Sequence, residues 1–174
     1  MSSRTWQTRE RLVRALVSLT REKPYDQVRV RDLLERAQVG RATFYAHYRD
    51  KEDLLITTFL EMVDFFEARA AEAGSEEVLP AARGLLAHFH DGKEFARALL
   101  RSGKFEVLTR ALEARLRRNL EARLPSEPLP GLTAALVCGA FVKMLDWWMA
   151  QGMKTPAAEL ADAFEGIARR AIAA

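Results

Sequence analysis

The chain has 174 residues, of which 49% are hydrophobic and 29% are charged, so it can bury a core of its own and is unlike a disordered polypeptide. Its single cysteine, Cys138, excludes an internal disulfide framework and is typical of a reducing compartment. The sequence does not open with a basic segment followed by an apolar one, so we expect no secretory signal and a cytoplasmic protein.

Charge is distributed unevenly along the chain. Residues 1–51 contain 12 Lys/Arg and 6 Asp/Glu, a net charge of +6, whereas residues 52–174 contain 15 and 18, a net charge of −3. This asymmetry predicts an N-terminal domain over residues 1–50 that binds a polyanion, and a neutral or acidic domain over residues 51–174. A solvated arginine-rich face would give the same counts, so charge alone does not decide between them.

Helical periodicity begins near the N-terminus. Leu12, Leu16 and Leu19 recur on one face and predict a helix over residues 5–20, which Pro24 separates from the next element. The "VRV" at 28–30 has β-propensity, but "DLLERA" forms helices strongly and no partner strand is evident, so we interpret residues 28–37 as helical. A short helix over residues 41–48 follows the "QVG" at 38–40.

The remaining periodic segments predict helices over residues 51–73, 76–90, 92–101, 104–124, 131–151 and 156–173. Gly74 and the three prolines in "LPSEPLPG" mark breaks between them. The predicted fold class is therefore all-α, with about nine helices and a basic three-helix N-terminal unit.

Two short helices joined by a few residues, with a glycine near the turn, indicate a helix-turn-helix. The second helix of this motif enters the major groove of DNA. Arg41 at its start can pair with guanine, and Thr43 can bond a phosphate or touch a thymine methyl. A helical hairpin without a DNA role is the alternative, which the charge asymmetry and the small outward-facing residues disfavour.

The aromatic residues of the short helix divide by their spacing. Phe44 and Tyr48 lie four residues apart and are predicted to form a buried stripe. Tyr45 and His47 project to the flanks, where they can donate hydrogen bonds to phosphates. Lys51 begins the next helix and is expected to offer its ammonium to the same backbone.

The segment "VRVRDLLERAQVGRATFYAHYRDKEDLL" (28–55) resembles the DNA-binding signature of the tetracycline-repressor (TetR) family of bacterial regulators. The similarity lies in V-R-D-L, A-x-V, T-F-Y-x-H-Y and K-E-x-L, and covers about a third of the chain. It implies double-stranded operator DNA as partner. The implied base contacts come from Arg31, Arg41, Ala42 and Thr43, and the implied backbone contacts from Tyr45, His47 and Lys51.

Two positions depart from the family pattern. Gly40 stands where Ser or Asn often caps the recognition helix, and it lacks a side-chain oxygen. Arg29 stands where Ser or Thr often precedes the V-R-D triplet. These departures bear on individual phosphate contacts rather than on the fold.

The apolar segment 131–151 is predicted to be a buried helix. A membrane-spanning interpretation is disfavoured because Lys143 and Asp146 would each cost about 2.5–3.5 kcal/mol at the bilayer centre. The small residues of segment 131–151 and the apolar face of the last helix instead predict a four-helix interface in a homodimer. The family resemblance implies the same two helices. The alternative is that these residues form the core of a monomer. The predicted interface residues are Ala135, Gly139, Leu160, Phe164, Ile167 and Ala168.

The family resemblance also implies a small-molecule pocket in the C-terminal domain. Aromatic and methionine residues at helical spacing more often belong to the core than to the wall of a ligand pocket. If they do line a pocket, they favour a hydrophobic or aromatic effector. The candidate lining residues are Met62, Phe66, His88, Phe89, Phe95, Phe105, Phe141, Met144, Trp147 and Trp148.

Enzymatic chemistry is not predicted. His88 and His90 are two residues apart and point to different faces of a helix, so they cannot share a metal, and no cofactor motif is present. The sequence predicts a homodimeric regulator, with repression favoured, that leaves a palindromic operator when a ligand binds. A DNA-binding regulator without a ligand remains an alternative, and a helical enzyme or metal protein is disfavoured.

Overall fold

The computed structural model describes residues 3–124 and 128–173. Over these residues the fold is all-α, with nine α-helices, one short 3-10 helix at Tyr25–Gln27 and no strand, which confirms the predicted fold class. The helices are α1 (Ser3–Glu22), α2 (Val30–Ala37), α3 (Arg41–Tyr45), α4 (Lys51–Glu72), α5 (Ala82–Asp91), α6 (Lys93–Arg101), α7 (Lys104–Arg123), α8 (Pro130–Ala150) and α9 (Ala157–Ala173).

The chain divides into two compact units. The first contains Met1–Glu61 together with Glu94–Val107, and the second contains Met62–Lys93 together with Leu108–Ala174. Helix α4 is continuous and contributes residues to both units. The division predicted at residue 50 stays a prediction about function, since it was drawn from charge rather than from contacts.

The first unit is built around the apolar faces of α1 to α4. Leu12 and Leu16 of α1, Leu33 of α2 and Phe44 of α3 are fully buried, so each helix of the N-terminal trio gives its hydrophobic face to one core. An ion pair between Lys104 and Glu52 (2.7 Å) ties the start of α7 to the start of α4 in this unit.

The second unit has a dense aromatic core. The rings of Phe141 on α8 and Phe164 on α9 meet edge to face with centroids 5.0 Å apart. Trp148 is fully buried and donates its indole N–H to the carbonyl of Thr155 (2.9 Å), so its polar atom is satisfied inside the core.

The predicted helix over residues 76–90 is wrong in its first part, because α5 begins only at Ala82. The connector before α5 is held by side chains distant in sequence. Glu165 accepts hydrogen bonds from the amide of Val78 (3.0 and 3.2 Å), and Arg123 donates to the carbonyls of Glu77 and Val78. These bonds satisfy backbone groups that a helix would otherwise pair, so the non-helical connector costs little.

Helix α5 packs closely against α4 at Gly84. A Cβ at this position would lie 2.4 Å from Cδ1 of Phe66, far inside contact distance. Gly84→Ala should therefore lower the free energy of unfolding by about 1 kcal/mol, because overpacking costs about 1–3 kcal/mol and better helix propensity returns about 1. Denaturant unfolding measures this change.

The matched control is Gly166→Ala in α9, where the nearest atom to a new Cβ is an Arg170 nitrogen at 3.6 Å. This variant should be as stable as the parent or more stable, because only the helix-propensity gain applies. In a Phe66→Leu background the cost of Gly84→Ala should shrink. An equal cost in both backgrounds would show that the Phe66 ring is not the obstacle.

Candidate nucleic-acid interface

Helices α2 and α3 are joined by three residues that make a tight turn. The amide of Val39 donates to the carbonyl of Leu34 (3.0 Å), and Val39 itself is buried at 8% exposure. Gly40 precedes α3 in extended conformation (φ −66°, ψ 146°) and makes no side-chain cap. The arrangement of helix, tight turn and short second helix is the predicted helix-turn-helix.

The left-handed residue of the turn is Gln38 rather than the glycine. Gln38 has φ 52° and ψ 47°, a conformation that favours glycine because it has no Cβ. Gly40, the glycine of the turn, has ordinary extended angles and is not the left-handed residue. The position of Gln38 directly after the last helical residue of α2, where left-handed residues end many helices, is the signal that was available.

Gln38→Gly should raise the free energy of unfolding by about 0.5–1 kcal/mol, because relief of left-handed strain outweighs the added freedom of the unfolded chain. Gln151→Gly provides the control, since Gln151 has φ −79° and glycine has no advantage there. Thermal unfolding of both variants measures the difference. Equal effects of the two substitutions would contradict the assignment of strain to Gln38.

The aromatic residues of α3 and of the turn after it divide as predicted. Phe44 and Tyr48 are buried at 0% and 7% exposure, whereas Tyr45 is 47% exposed and His47 is exposed. Phe44 supports Tyr45 edge to face with ring centroids 5.2 Å apart. The short helix is thus anchored by its inner rings and presents the outer two to solvent.

The helix itself is shorter than predicted. It ends at Tyr45, and residues 46–47 form a turn in which the amides of His47 and Tyr48 both donate to the carbonyl of Phe44. The turn keeps Tyr48 in the core although the helix has ended.

Six of the seven predicted DNA-contacting residues share the solvent-exposed surface of α2 and α3. Arg41 lies with its guanidinium carbon 5.5 Å from the centre of the Tyr45 ring. Arg31 has 77% of its side chain exposed and makes only a long ion pair of 3.8 Å with Asp32. The full exposed set is Arg31, Arg41, Ala42, Thr43, Tyr45 and His47.

Lys51, the seventh residue, is placed differently. Its ammonium donates to the carbonyls of Tyr25 (2.7 Å), Val28 (2.8 Å) and Asp26 (3.3 Å), and it lies 4.4 Å from the centre of the Tyr25 ring. An ammonium has three protons, and each has an acceptor here. Burial lowers the pKa of Lys51 from its ordinary value. Its geometry is that of a clamp on the segment before α2.

The start of α2 is stabilised by Asp32. The Asp32 carboxylate accepts from the amide of Arg29 (3.0 Å) and pairs with Lys23 (2.5 Å), and these bonds hold its pKa below the ordinary value, with the Lys23 bond contributing most. The side chain of Arg29 has no oxygen that could accept a hydrogen bond from the first turn of α2. Of the two hydrogen bonds of a capping box, only the one from the Arg29 amide to the Asp32 carboxylate is therefore formed. The guanidinium of Arg29 remains on the surface.

Two grooves open on the helix-turn-helix surface. One, of about 490 Å³, runs between α2 and α3 and is lined by Val30, Arg31, Leu34, Glu35, Val39, Arg41 and Tyr45. The other, of about 680 Å³, lies between α1 and the turn and is lined by Gln7, Thr8, Glu10, Arg11, Gln38, Val39, Gly40 and Thr43. The arginines of the first groove were predicted from the sequence, whereas its apolar residues and the carboxylate of Glu35 were not.

The predicted pocket residues do not form one group in the structure. Phe95 and Phe105 belong to the first unit, whereas the others belong to the second. Phe89, Phe141 and Trp148 are buried in the core, and Trp147 is 52% exposed. Phe66 lies beside Gly84 and His88 (6.3 Å between ring centroids), and Met62, Phe95 and Met144 are half-buried. The buried members fit core packing, whereas Trp147 and His88 are exposed, and a ligand role for any of them stays a prediction.

Polar side chains lie near the aromatic core of the second unit. Glu67 of α4 accepts from the amide of Asn119 on α7, and burial raises the pKa of this carboxyl. Burial likewise raises the pKa of Cys138 to about 12, so its thiol stays protonated at neutral pH. Among the described residues no cluster of three or more His, Cys, Asp or Glu side chains could hold a metal ion.

The residues predicted for a dimer interface differ in exposure, and their role in an interface stays a prediction. Leu160, Phe164 and Ala168 are buried within their own unit at 7%, 3% and 2% exposure. Ile167 is 55% exposed, and Ala135 and Gly139 are half-buried. The periodicity identified the apolar face of α9 correctly, but this chain itself covers that face. The exposed large apolar residues of α8 and its approach are Leu129, Leu132, Leu136 and Trp147.

Helix α8 is the one helix in the described ranges that is long and apolar enough to cross a membrane by length and composition alone. A helix buried in the core of a protein that does not enter a membrane can have the same length and composition. Helix α8 also carries an exposed ion pair between Lys143 and Asp146 (3.6 Å), which a lipid environment disfavours.

A basic, exposed recognition helix on a three-helix scaffold, joined to a second helical unit, defines a helix-turn-helix transcriptional regulator. Residues 12–57 match the family model for bacterial regulatory proteins of the tetR family. The helix-turn-helix segment is therefore that of a TetR-family DNA-binding transcriptional regulator.

Solved structures agree with this fold over nearly the whole chain. A dihydroxyacetone kinase operon activator is 15% identical with a TM-score of 0.72, covering 95% of this chain and 96% of that chain. A TetR transcriptional regulator from Streptococcus agalactiae 2603V is 23% identical with a TM-score of 0.64, and each chain is covered to 95%. The fatty acid degradation regulator from Bacillus halodurans is 18% identical with a TM-score of 0.60, covering 91% and 96%. No curated protein matches the sequence.

Proposed function

We propose that this regulator is a homodimeric repressor that binds a palindromic operator in the cytoplasm and releases it when a small hydrophobic or aromatic molecule binds the second unit. The observation that carries the DNA-reading part is the exposed surface of α2 and α3. Arg41 and Arg31 reach outward there, while Phe44 and Tyr48 hold the short helix to the core.

The proposed contacts follow from the chemistry of that surface. Arg31 and Arg41 can each pair with guanine, and Ala42 and Thr43 allow close approach and can touch a thymine methyl. Tyr45 and His47 can donate to phosphates on either side, which fixes the position of the helix in the groove. Lys51 belongs behind this surface, as a residue that positions the segment before α2.

Dimerisation is supported by the exposed apolar residues of the second unit. Leu132, Leu136 and Trp147 are more than half exposed and recur along α8, and Ile167 of α9 is exposed as well. Burying such residues against a second copy removes apolar surface from water. A dimer would also set two recognition helices about 34–36 Å apart, which matches one turn of DNA.

Ligand release would use α4, which is continuous through residues of both units. A ligand that bound among the α4 residues of the second unit could bias that helix and so change the spacing of the paired recognition helices. For a tenfold loss of operator affinity, the ligand must prefer the non-binding state by about 1.4 kcal/mol. One structural neighbour is an operon activator, so reporter assays must establish the direction of regulation.

The test begins with selection of bound fragments from the host's genomic DNA. We expect a palindromic sequence bound at least about a thousandfold more tightly than random DNA at the same salt concentration. Sedimentation at micromolar concentration should give a dimer, and a reporter driven by the selected promoter should be repressed. A monomer, or equal binding to all fragments, would contradict the proposal. Operator release by hydrophobic or aromatic compounds separates a ligand-responsive regulator from one that has no ligand.

A further inference from the structure

We propose that Glu35 is a specificity-determining residue, which reads a cytosine of the operator beside the guanine read by an arginine. The inference rests on the proposed DNA-reading function. Attraction to phosphate does not explain a carboxylate on a DNA-binding surface, because the DNA backbone repels it.

The first observation is the position of Glu35. It lines the groove of about 490 Å³ between α2 and α3 together with Arg31 and Arg41. Apolar side chains and the Tyr45 ring complete the groove. The carboxylate therefore shares one concave surface with the two arginines that are proposed to read guanine.

The second observation is that the Glu35 carboxylate is available. Glu35 is exposed, and within residues 3–124 and 128–173 its carboxylate makes no hydrogen bond or ion pair. Nearby acidic residues differ, since Glu22 pairs with Arg36 (2.8 Å) and Glu10 pairs with Arg14 (2.6 Å). A free acceptor on this surface needs a donor from the bound DNA to offset its repulsion from phosphates.

Base chemistry selects the donor. In the major groove cytosine presents an N4 amine, which a carboxylate accepts from. Adenine presents its N6 amine beside the N7 acceptor, and that lone pair repels a carboxylate and suits an amide side chain instead. A G·C pair offers acceptors on guanine and a donor on cytosine, so an arginine and Glu35 can together recognise one G·C pair or two adjacent ones.

The experiment measures binding of the parent, Glu35→Ala and Glu35→Gln to the selected operator, to operators substituted at each G·C position, and to random DNA. We expect Glu35→Ala to lose about tenfold on the best operator and to become indifferent at one position. Its affinity for random DNA should rise, because one negative charge is gone. Glu35→Gln should shift the preference at that position from cytosine towards adenine.

Glu72→Ala is the control for charge, because Glu72 is exposed at the end of α4 in the second unit. It should leave base preference unchanged. Denaturant unfolding should be the same for both Glu35 variants and the parent, because the residue is exposed. If Glu35→Ala strengthens binding equally on every DNA, the carboxylate only repels and the cytosine contact is refuted. If the parent itself fails to discriminate the operator from random DNA, the proposed function fails whatever the Glu35 variants do.

Discussion

Arg41→Ala should weaken binding to the best operator by about 1–3 kcal/mol and relax the preference at one base pair. The reason is geometric, since Arg41 begins α3 and holds its guanidinium on the exposed side, against the Tyr45 ring. A guanidinium supported in this way loses little freedom when it pairs with the two acceptors of guanine. Fluorescence anisotropy on the operator and on single-site variants would measure both effects.

The control for Arg41 is Arg69→Ala, which removes the same charge from an exposed position in α4 within the second unit. It should leave base preference untouched. Equal losses for Arg41→Ala on operator and random DNA would show that Arg41 contacts only phosphate. In that event Arg31 would be the remaining arginine that could contact a guanine base.

Lys51→Met should lower the free energy of unfolding by about 2–4 kcal/mol, because hydrogen bonds to a charged group contribute about 1.5–3 kcal/mol each and the carbonyls of Tyr25 and Val28 lose their donor. The methionine keeps most of the side-chain volume, so the loss reports on the ammonium. Lys154→Met, at an exposed lysine, should have little effect on stability.

The same variant decides between two roles for Lys51. A phosphate contact predicts that the salt dependence of binding falls by about one unit when the charge is removed. The three carbonyl acceptors instead predict an unchanged slope and a less stable protein. We expect the second result. A lower slope with unchanged stability would restore Lys51 to the phosphate contacts.

Much of the fold followed from the sequence because helical periodicity is a local property. The leucines of α1 and the spacing of Phe44 and Tyr48 specify which side of each helix is apolar, and both sets are buried as predicted. The exposed position of Tyr45 follows from the same rotation of about 100° per residue, whereas His47 is exposed from the turn that follows the helix. The motif spacing at residues 28–55 placed the helix-turn-helix for the same reason.

Contacts between residues that are distant in the sequence could not be predicted from local patterns. The non-helical segment before α5 depends on Glu165 and Arg123, which are 87 and 45 residues from Val78. Likewise the predicted dimer face of α9 was the correct apolar face, but periodicity does not tell whether a second copy or the same chain covers it. The burial of Phe164 against Phe141 answers that question for this chain.

The sequence by itself determined the order and apolar faces of the helices, the helix-turn-helix and the division of its aromatic residues, because each depends on neighbours within a few turns. Tertiary structure decided the position of Lys51, the left-handed backbone at Gln38 and the groove that contains Glu35. A long flexible side chain such as that of Lys51 reaches whichever acceptors the fold brings near, here carbonyls 23 to 26 residues away. Partners of this kind exist only after the chain has folded.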